Sequence, residues 1–245
     1  MEPYLVTLLE RMADTWTYAP GQKKIKDTFE SNKTVAWYAH AEARQLNNQK
    51  WLPQLFEFIR TETNSIKRKH ACFVAGCVAK NTDDALASGV FLELLAHEKN
   101  TEVLKTILMQ LAHLFKPATT DLTPIYKLTE HKNWSIRASA FEALTNTAHP
   151  VEQFLAHKLQ HATNKDDVHF LLHAISYVAT EKSLTAIEPH IKNRKPETKE
   201  AATQALILLL LRTGYNDNQI VKKAKSTLEA VQILRGRLNM LTRPG

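Results

Sequence analysis

Apolar residues along this chain return every three or four positions, in runs separated by short polar stretches, and no segment alternates with a period of two. That spacing belongs to amphipathic helices with one face buried. The segments "KWLPQLFEFIRTE", "DDALASGVFLELLAHE", "TDLTPIYKLTEH", "VEQFLAHKLQHA" and "KSLTAIEPHIKN" each predict the first helix of a pair. The second helices are predicted at roughly 65–80, 101–116, 134–147, 166–180 and 196–213. In the third of these, Ile136, Ala140, Ala143, Leu144 and Thr147 share one helical stripe, and its small residues allow a neighbouring helix to come close.

One residue type separates the two helices of every pair. Asn64, Asn100, Asn133, Asn164 and Asn193 stand at intervals of 36, 33, 31 and 29 residues, each just before a second helix. An asparagine there accepts hydrogen bonds from the orphan N–H groups of the first turn, so these residues are expected to be N-caps. Asp166, Asp167 and Glu197 follow where the helix dipole favours negative charge. Residues 205–211 are apolar around the whole helix, so both sides need cover. A stripe of Val221, Ala224, Leu228, Val231, Leu234, Leu238 and Leu241 predicts a terminal helix at about 217–241 that could provide it. The expected organisation is one continuous domain: an N-terminal helical cap at 1–48, a repeat array at 49–213 and a C-terminal capping helix and tail at 214–245.

A helix pair of about 30–37 residues repeated five times is the signature of an α-solenoid. The run "NWSIRASAFEAL" resembles the HEAT repeat, whose second helix opens with a small or polar residue, then Val/Ile-Arg, then Ala-x-x-Ala-Leu. Ile136-Arg137, Ala140, Ala143 and Leu144 match that pattern; Ile66-Lys67, Val103-Leu104 and Val168-His169 match it loosely, and the fifth repeat matches only by its alanines. The resemblance covers residues 49–213 and implies an all-α, right-handed solenoid of about five HEAT-like repeats with helical caps at both ends. It also implies that the second helices line a concave binding face.

Composition changes this picture little. Hydrophobic residues at 44% and charged residues at 23% are ordinary for a soluble protein, and the longest apolar run, "ALILLLL", is far short of the ~20 residues a membrane helix needs. The first residues carry an early Glu2 and no basic run, so no signal peptide is expected. Cys72 and Cys77 lie five positions apart, on different helix faces, and should not bridge each other; they read as thiols in a reducing compartment. The expected setting is cytoplasmic, without a membrane partner. Charge matters more: a formal +7 and a pI near 9.3 favour anionic partners.

The candidate chemistry starts with Trp134, Arg137 and Phe141, spaced three and four apart on one helix. An arginine between aromatics can grip a phosphate or stack on a base. The same three residues equally suit a structural role, with the aromatics filling space between repeats and Arg137 bonding a neighbouring repeat. "Trp134-Ser135-Ile136-Arg137" also resembles the Trp-x-x-Arg step of the alkylpurine DNA glycosylases of the alkylation-repair family, which are built from HEAT-like repeats. That resemblance implies a DNA-binding groove. The family's catalytic aspartate, one repeat earlier after paired tryptophans, has no match: the chain reads "Lys99-Asn100-Thr101-Glu102" there.

Other cations fall where second helices begin: Lys67 and Arg68 in "NSIKRKH", Lys195 and Lys199 in "IKNRKPETK", with Lys105 alone in its helix. Together they predict a basic face for an acidic peptide or a phosphate backbone. Four histidines are weak metal candidates. His157 and His161 are four apart on one helix, His169 and His173 four apart on its partner, and their heights would allow a shared site. HEAT-type iron hydroxylases carry several His-Glu pairs, whereas this chain has the single pair His97-Glu98. No phosphate-binding glycine loop, G-x-S-x-G, H-E-x-x-H or C-x-x-C is present. The sequence therefore predicts a non-enzymatic scaffold that needs no cofactor and binds a protein or peptide of acidic character, with nucleic-acid binding as the alternative.

Overall fold

A computed structural model describes residues 1–23 and 28–214. Among them the secondary structure is helical, with twelve α-helices, three short 3-10 turns and isolated bridges only. The predicted helix at 217–241 lies outside the described residues. The chain divides into two compact units.

The first unit holds Met1–Leu128 and Asn146–Ala148. It contains α1 (Pro3–Ala13), α2 (Val35–Ala43), α3 (Leu52–Thr61), α4 (Ser65–Asn81), α5 (Ala87–His97), α6 (Thr101–His113) and α7 (Thr123–Leu128). Helices α3/α4 and α5/α6 form successive pairs; α2, α4 and α6 pack in one row, and α5 and α7 in another. The core between the rows is apolar, with Leu55, Val74, Val78, Phe91, Ile107, Leu108 and Leu111 fully buried. Helices α4 and α6 meet at Gly76, where a Cβ would lie 2.1 Å from the Gln110 amide oxygen, so only glycine fits under that side chain.

The second unit holds Thr129–Thr145 and the residues from His149. It contains α8 (Trp134–Ala143), α9 (Glu152–His161), α10 (Lys165–Val178), α11 (Leu184–Ile191) and α12 (Pro196–Arg212). Again the second helices α8, α10 and α12 form one row and the first helices α9 and α11 another. Ile136, Ala140, Ala143 and Leu144 are fully buried, as their stripe predicted. Arg212 donates to the carbonyls of Ser176 (2.6 Å) and Ala179 (2.7 Å), satisfying the end of α10 from α12. Each unit is thus an all-α stack of helix pairs, the repeating element of an α-solenoid. The third predicted pair is divided, with α7 in the first unit and α8 in the second.

Four of the five asparagines are N-caps. Asn64 accepts from Ile66 and Lys67, Asn100 from Glu102 and Val103, Asn133 from Ser135, and Asn164 from Asp166, at 2.9–3.2 Å. Each cap stabilises its helix by about 1 kcal/mol. Asn193 departs from the pattern. Helix α12 starts at Pro196, so the N-cap is Lys195, and Asn193 accepts from the Lys195 N–H two positions early. Pro196 accounts for the offset, since it disfavours α geometry in Lys195 before it and is itself suited to the first helical position.

Two second helices stop short of their predicted ends. Helix α6 ends at His113 because Lys116 precedes Pro117, which disfavours α geometry in the residue before it. Lys116 instead pairs its backbone with the 146–148 segment, accepting from Ala148 at 3.0 Å and donating to Asn146 at 3.1 Å. Its fully buried Nζ turns back to the carbonyls of Leu111 and Leu114, closing the end of α6. Helix α8 ends at Ala143, and Asn146 then takes a φ of +50°.

Candidate functional site

The Asn133 cap puts Arg137 on the first turn of α8, facing back toward the loop before the helix. Its Nη1 donates to the carbonyls of His131 (2.9 Å) and Lys132 (3.2 Å). Its Nε and Nη2 grip Asp167 of α10 at 2.9–3.1 Å. The first unit repeats this arrangement. Arg68 on α4 donates to the carbonyls of Glu62 and Thr63 and grips Glu98 from the turn after α5. Burial alone would raise the Glu98 carboxyl; the Arg68 hydrogen bond, with the N–H groups of Asn100 and Lys99, outweighs it and holds the group below its ordinary range.

These arginines are therefore clamps within the protein. Both side chains are less than one fifth exposed, and their donors are already engaged. That corrects their expected place on a ligand surface. Asp167, expected as a first-turn acid, is the partner of Arg137. Phe141 is likewise corrected, because at 2% exposure it belongs to the core. Trp134 does reach the surface. It is half exposed and stacks on Phe170 with ring centroids 5.7 Å apart.

The four histidines separate into two places. His157 and His161 lie ring against ring, 4.3 Å apart, and His161 Nδ1 contacts the His157 carbonyl. His169 and His173 instead line a cleft of about 290 Å³ with Glu197, Glu200 and Gln204 of α12. Among the described residues no group of three or more His, Cys, Asp or Glu is arranged to hold a metal ion. This replaces the shared site that their heights allowed. Lys195 is exposed at the start of α12, and Lys199 half-buried beyond it; neither lines that cleft, whose charged wall is the pair of glutamates.

Lys67 is exposed on α4. Lys105 forms a long 3.6 Å pair with Glu102 and borders a cleft of about 220 Å³ across α2, α4 and α6. The remaining walls of that cleft come from His40, Lys69, His70, Phe73, Met109 and Gln110. His40 Nδ1–H donates to the Ala36 carbonyl (2.7 Å), and the ring meets His70 edge-on at 5.4 Å. His70 is only 5% exposed; burial, and then the charge of Lys69, pushes its pKa down to about 4. His40 is lowered too, first by burial and then by Arg44 and Lys69, against its bond to Ala36. Arg44 lies over the Phe73 ring at 5.5 Å. Of these residues sequence reasoning singled out Lys105. His70 and Gln110 escaped because they occupy positions of the buried stripe, where a polar residue is the signal to look for.

No family model matches the chain, and no curated protein matches it. Solved structures do. A designed armadillo repeat protein is 16% identical, with a TM-score of 0.48, over 84% of this chain and 99% of that one. An engineered protein from the Northeast Structural Genomics Consortium is 16% identical, with a TM-score of 0.50, over 94% of this chain and 66% of that one. A second designed armadillo repeat protein, solved in complex with the peptide (KR)4, is 14% identical with a TM-score of 0.39, over 96% of this chain and 98% of that one. At such identities the likeness concerns the fold alone, a helical repeat. The HEAT subtype and the alkylation-repair branch remain resemblances of sequence. Among the described residues no helix is long and apolar enough to cross a membrane.

Proposed function

We propose that the protein is a non-enzymatic binding module that takes a protein or peptide segment along the faces of its second helices. The observation that carries this is the half-exposed apolar and aromatic side chains that each unit offers: Trp37 on α2 and Met109 on α6 in the first unit, Trp134 on α8 and Tyr177 on α10 in the second, each 49–53% exposed. Covering such a side chain contributes on the order of 1–2 kcal/mol, so the two that each unit offers supply part of a binding energy that further contacts of the segment must complete. The free thiols of Cys72 and Cys77 suit a reducing, cytoplasmic setting.

Nucleic-acid binding has the weaker support. Arg68 and Arg137, the cations best suited to grip phosphate, are taken up by Glu98 and Asp167. The α10–α12 cleft presents Glu197 and Glu200, which would repel a phosphate backbone. Selection of a displayed peptide library on the full chain tests the reading. Peptides should be enriched whose binding weakens on Trp134→Ala or Met109→Ala. Failure to enrich any peptide, together with tight binding of short duplex DNA at physiological salt, would overturn it in favour of nucleic acid.

A further inference from the structure

We propose that the cleft bounded by α2, α4 and α6 is a subsite for one carboxylate side chain, aspartate or glutamate, of the bound peptide. This rests on the peptide-binding reading and adds to it the chemistry of one anchor. Two polar side chains more than nine-tenths buried line the cleft: His70, 5% exposed, and Gln110, 7% exposed. Among the described residues neither the His70 ring nitrogens nor the Gln110 amide has a hydrogen-bond partner. The only side-chain N or O atom that is both fully enclosed and unpartnered among those residues is Ser88 Oγ, so the free groups of His70 and Gln110 reach open cleft space. Buried donors are rarely left unpaired in folded proteins, because each such group costs free energy that a ligand can recover.

Position and charge select the ligand. Gln110 lies across Gly76 and lines the cleft together with both imidazoles. Lys69 and Lys105 line the cleft against a single acid, Glu102, so its fixed side-chain charge is +1 with both imidazoles neutral. One carboxylate balances that charge. A phosphate dianion exceeds it and meets Glu102 as well. Phe73 and Met109 supply an apolar wall for the methylene stem of a glutamate. A volume of about 220 Å³ suits a side chain, since pockets for whole small molecules span roughly 300–1,000 Å³. In the bound state one imidazole N–H, the Gln110 NH2 and one ammonium donate to the two carboxylate oxygens.

The test is an NMR titration of the full chain, following the histidine ring and glutamine side-chain signals. The probes are N-acetyl-glutamate N-methylamide, its glutamine analogue and inorganic phosphate. The glutamate probe should give a saturable shift of the His70 ring and the Gln110 amide at millimolar concentration, and the glutamine analogue none. Lys69→Ala/Lys105→Ala, which truncates two half-buried side chains, should weaken the response about tenfold; His70→Phe should weaken it comparably, each variant being checked for unchanged backbone spectra. No saturable shift, a shift unchanged by the double variant, or tighter binding of phosphate than of the glutamate probe overturns the subsite. Peptides selected without any acid at a common position would also overturn it while leaving peptide binding intact. A library that yields no peptide counts against peptide binding itself, and the titration still decides the cleft.

Discussion

If Arg137 is a clamp, removing it should cost stability and not ligand affinity. In Arg137→Ala the carbonyls of His131 and Lys132 lose their donor, and Asp167, 19% exposed in its side chain, keeps its charge without a partner. Losing a hydrogen bond from a charged donor costs about 1.5–3 kcal/mol when the acceptor stays buried, and breaking a buried pair from one side about 3–5 kcal/mol. The carbonyls can turn to water and Asp167 is partly wet, so the lower part of this range applies, and we expect about 2–4 kcal/mol. Asp167→Ala should cost less, about 1–2 kcal/mol, because Arg137 keeps both carbonyls and remains partly solvated. Arg137→Lys should recover less than half of the loss, since a single ammonium cannot serve the carboxylate and two carbonyls at once. Urea unfolding of the four species of a double-mutant cycle, with the slope checked for constancy, measures these values and a coupling of about 1–2 kcal/mol. A cost below about 0.5 kcal/mol for Arg137→Ala, or a coupling near zero, refutes the clamp. So does the converse result, in which stability is unchanged and binding of the selected peptides is lost.

Two further expectations concern α6. Burial lowers Lys116 from 10.5 to about 7, so between those values the unfolded chain holds a proton that the folded chain lacks, and stability rises with pH across that window. From pH 7 to 9 the parent should gain up to roughly 2 kcal/mol relative to Lys116→Met, measured by urea midpoints; equal pH slopes would exclude this role. Gly76→Ala gains helix propensity but drives a methyl into the Gln110 side chain, 2.1 Å away, and should lose about 1–2 kcal/mol net. Adding Gln110→Ala should restore most of that loss, and a Gly76→Ala protein as stable as the parent would show that Gln110 is not held there.

The helix pairs were legible because three signals agreed: the apolar period, the asparagine caps and the first-turn acids. Ile136, Ala140, Ala143 and Leu144 are buried as their spacing implied, and four asparagines cap as expected. Asn193 misled because α12 starts at Pro196, as its predicted span has it, and the N-cap position next to that start is Lys195 and not the asparagine. The ends of α6 and α8 misled because Lys116 and Asn146 satisfy each other through a backbone pairing that no local pattern announces. At the surface, the three-four spacing put Trp134, Arg137 and Phe141 on one stripe, yet they end half-exposed, clamped and buried, respectively. Periodicity fixes direction around a helix axis only to within a residue or so, and partners thirty positions away decide the rest. The basic clusters were visible as composition. Which of them meet an acid was not, because that depends on the stacking of one pair upon the next.

In both clamps the arginine and its acid stand thirty residues apart. Arg68 reads forward to Glu98 and Arg137 to Asp167, so each tie straddles two helix pairs and ends inside the second. The natural piece to cut, duplicate or graft from this chain is therefore out of phase with the helix pair: it runs from one arginine's turn through the acid of the following pair. A fragment ending in the connection after α4, or in the one after α8, would keep complete helices and still strand a guanidinium without its counter-charge. An insertion or deletion in either interval would move the acid away in the same manner, whatever it did to the helices themselves. Loop length at these two places is thus under the control of a side chain, and the connections elsewhere in each unit are freer to vary.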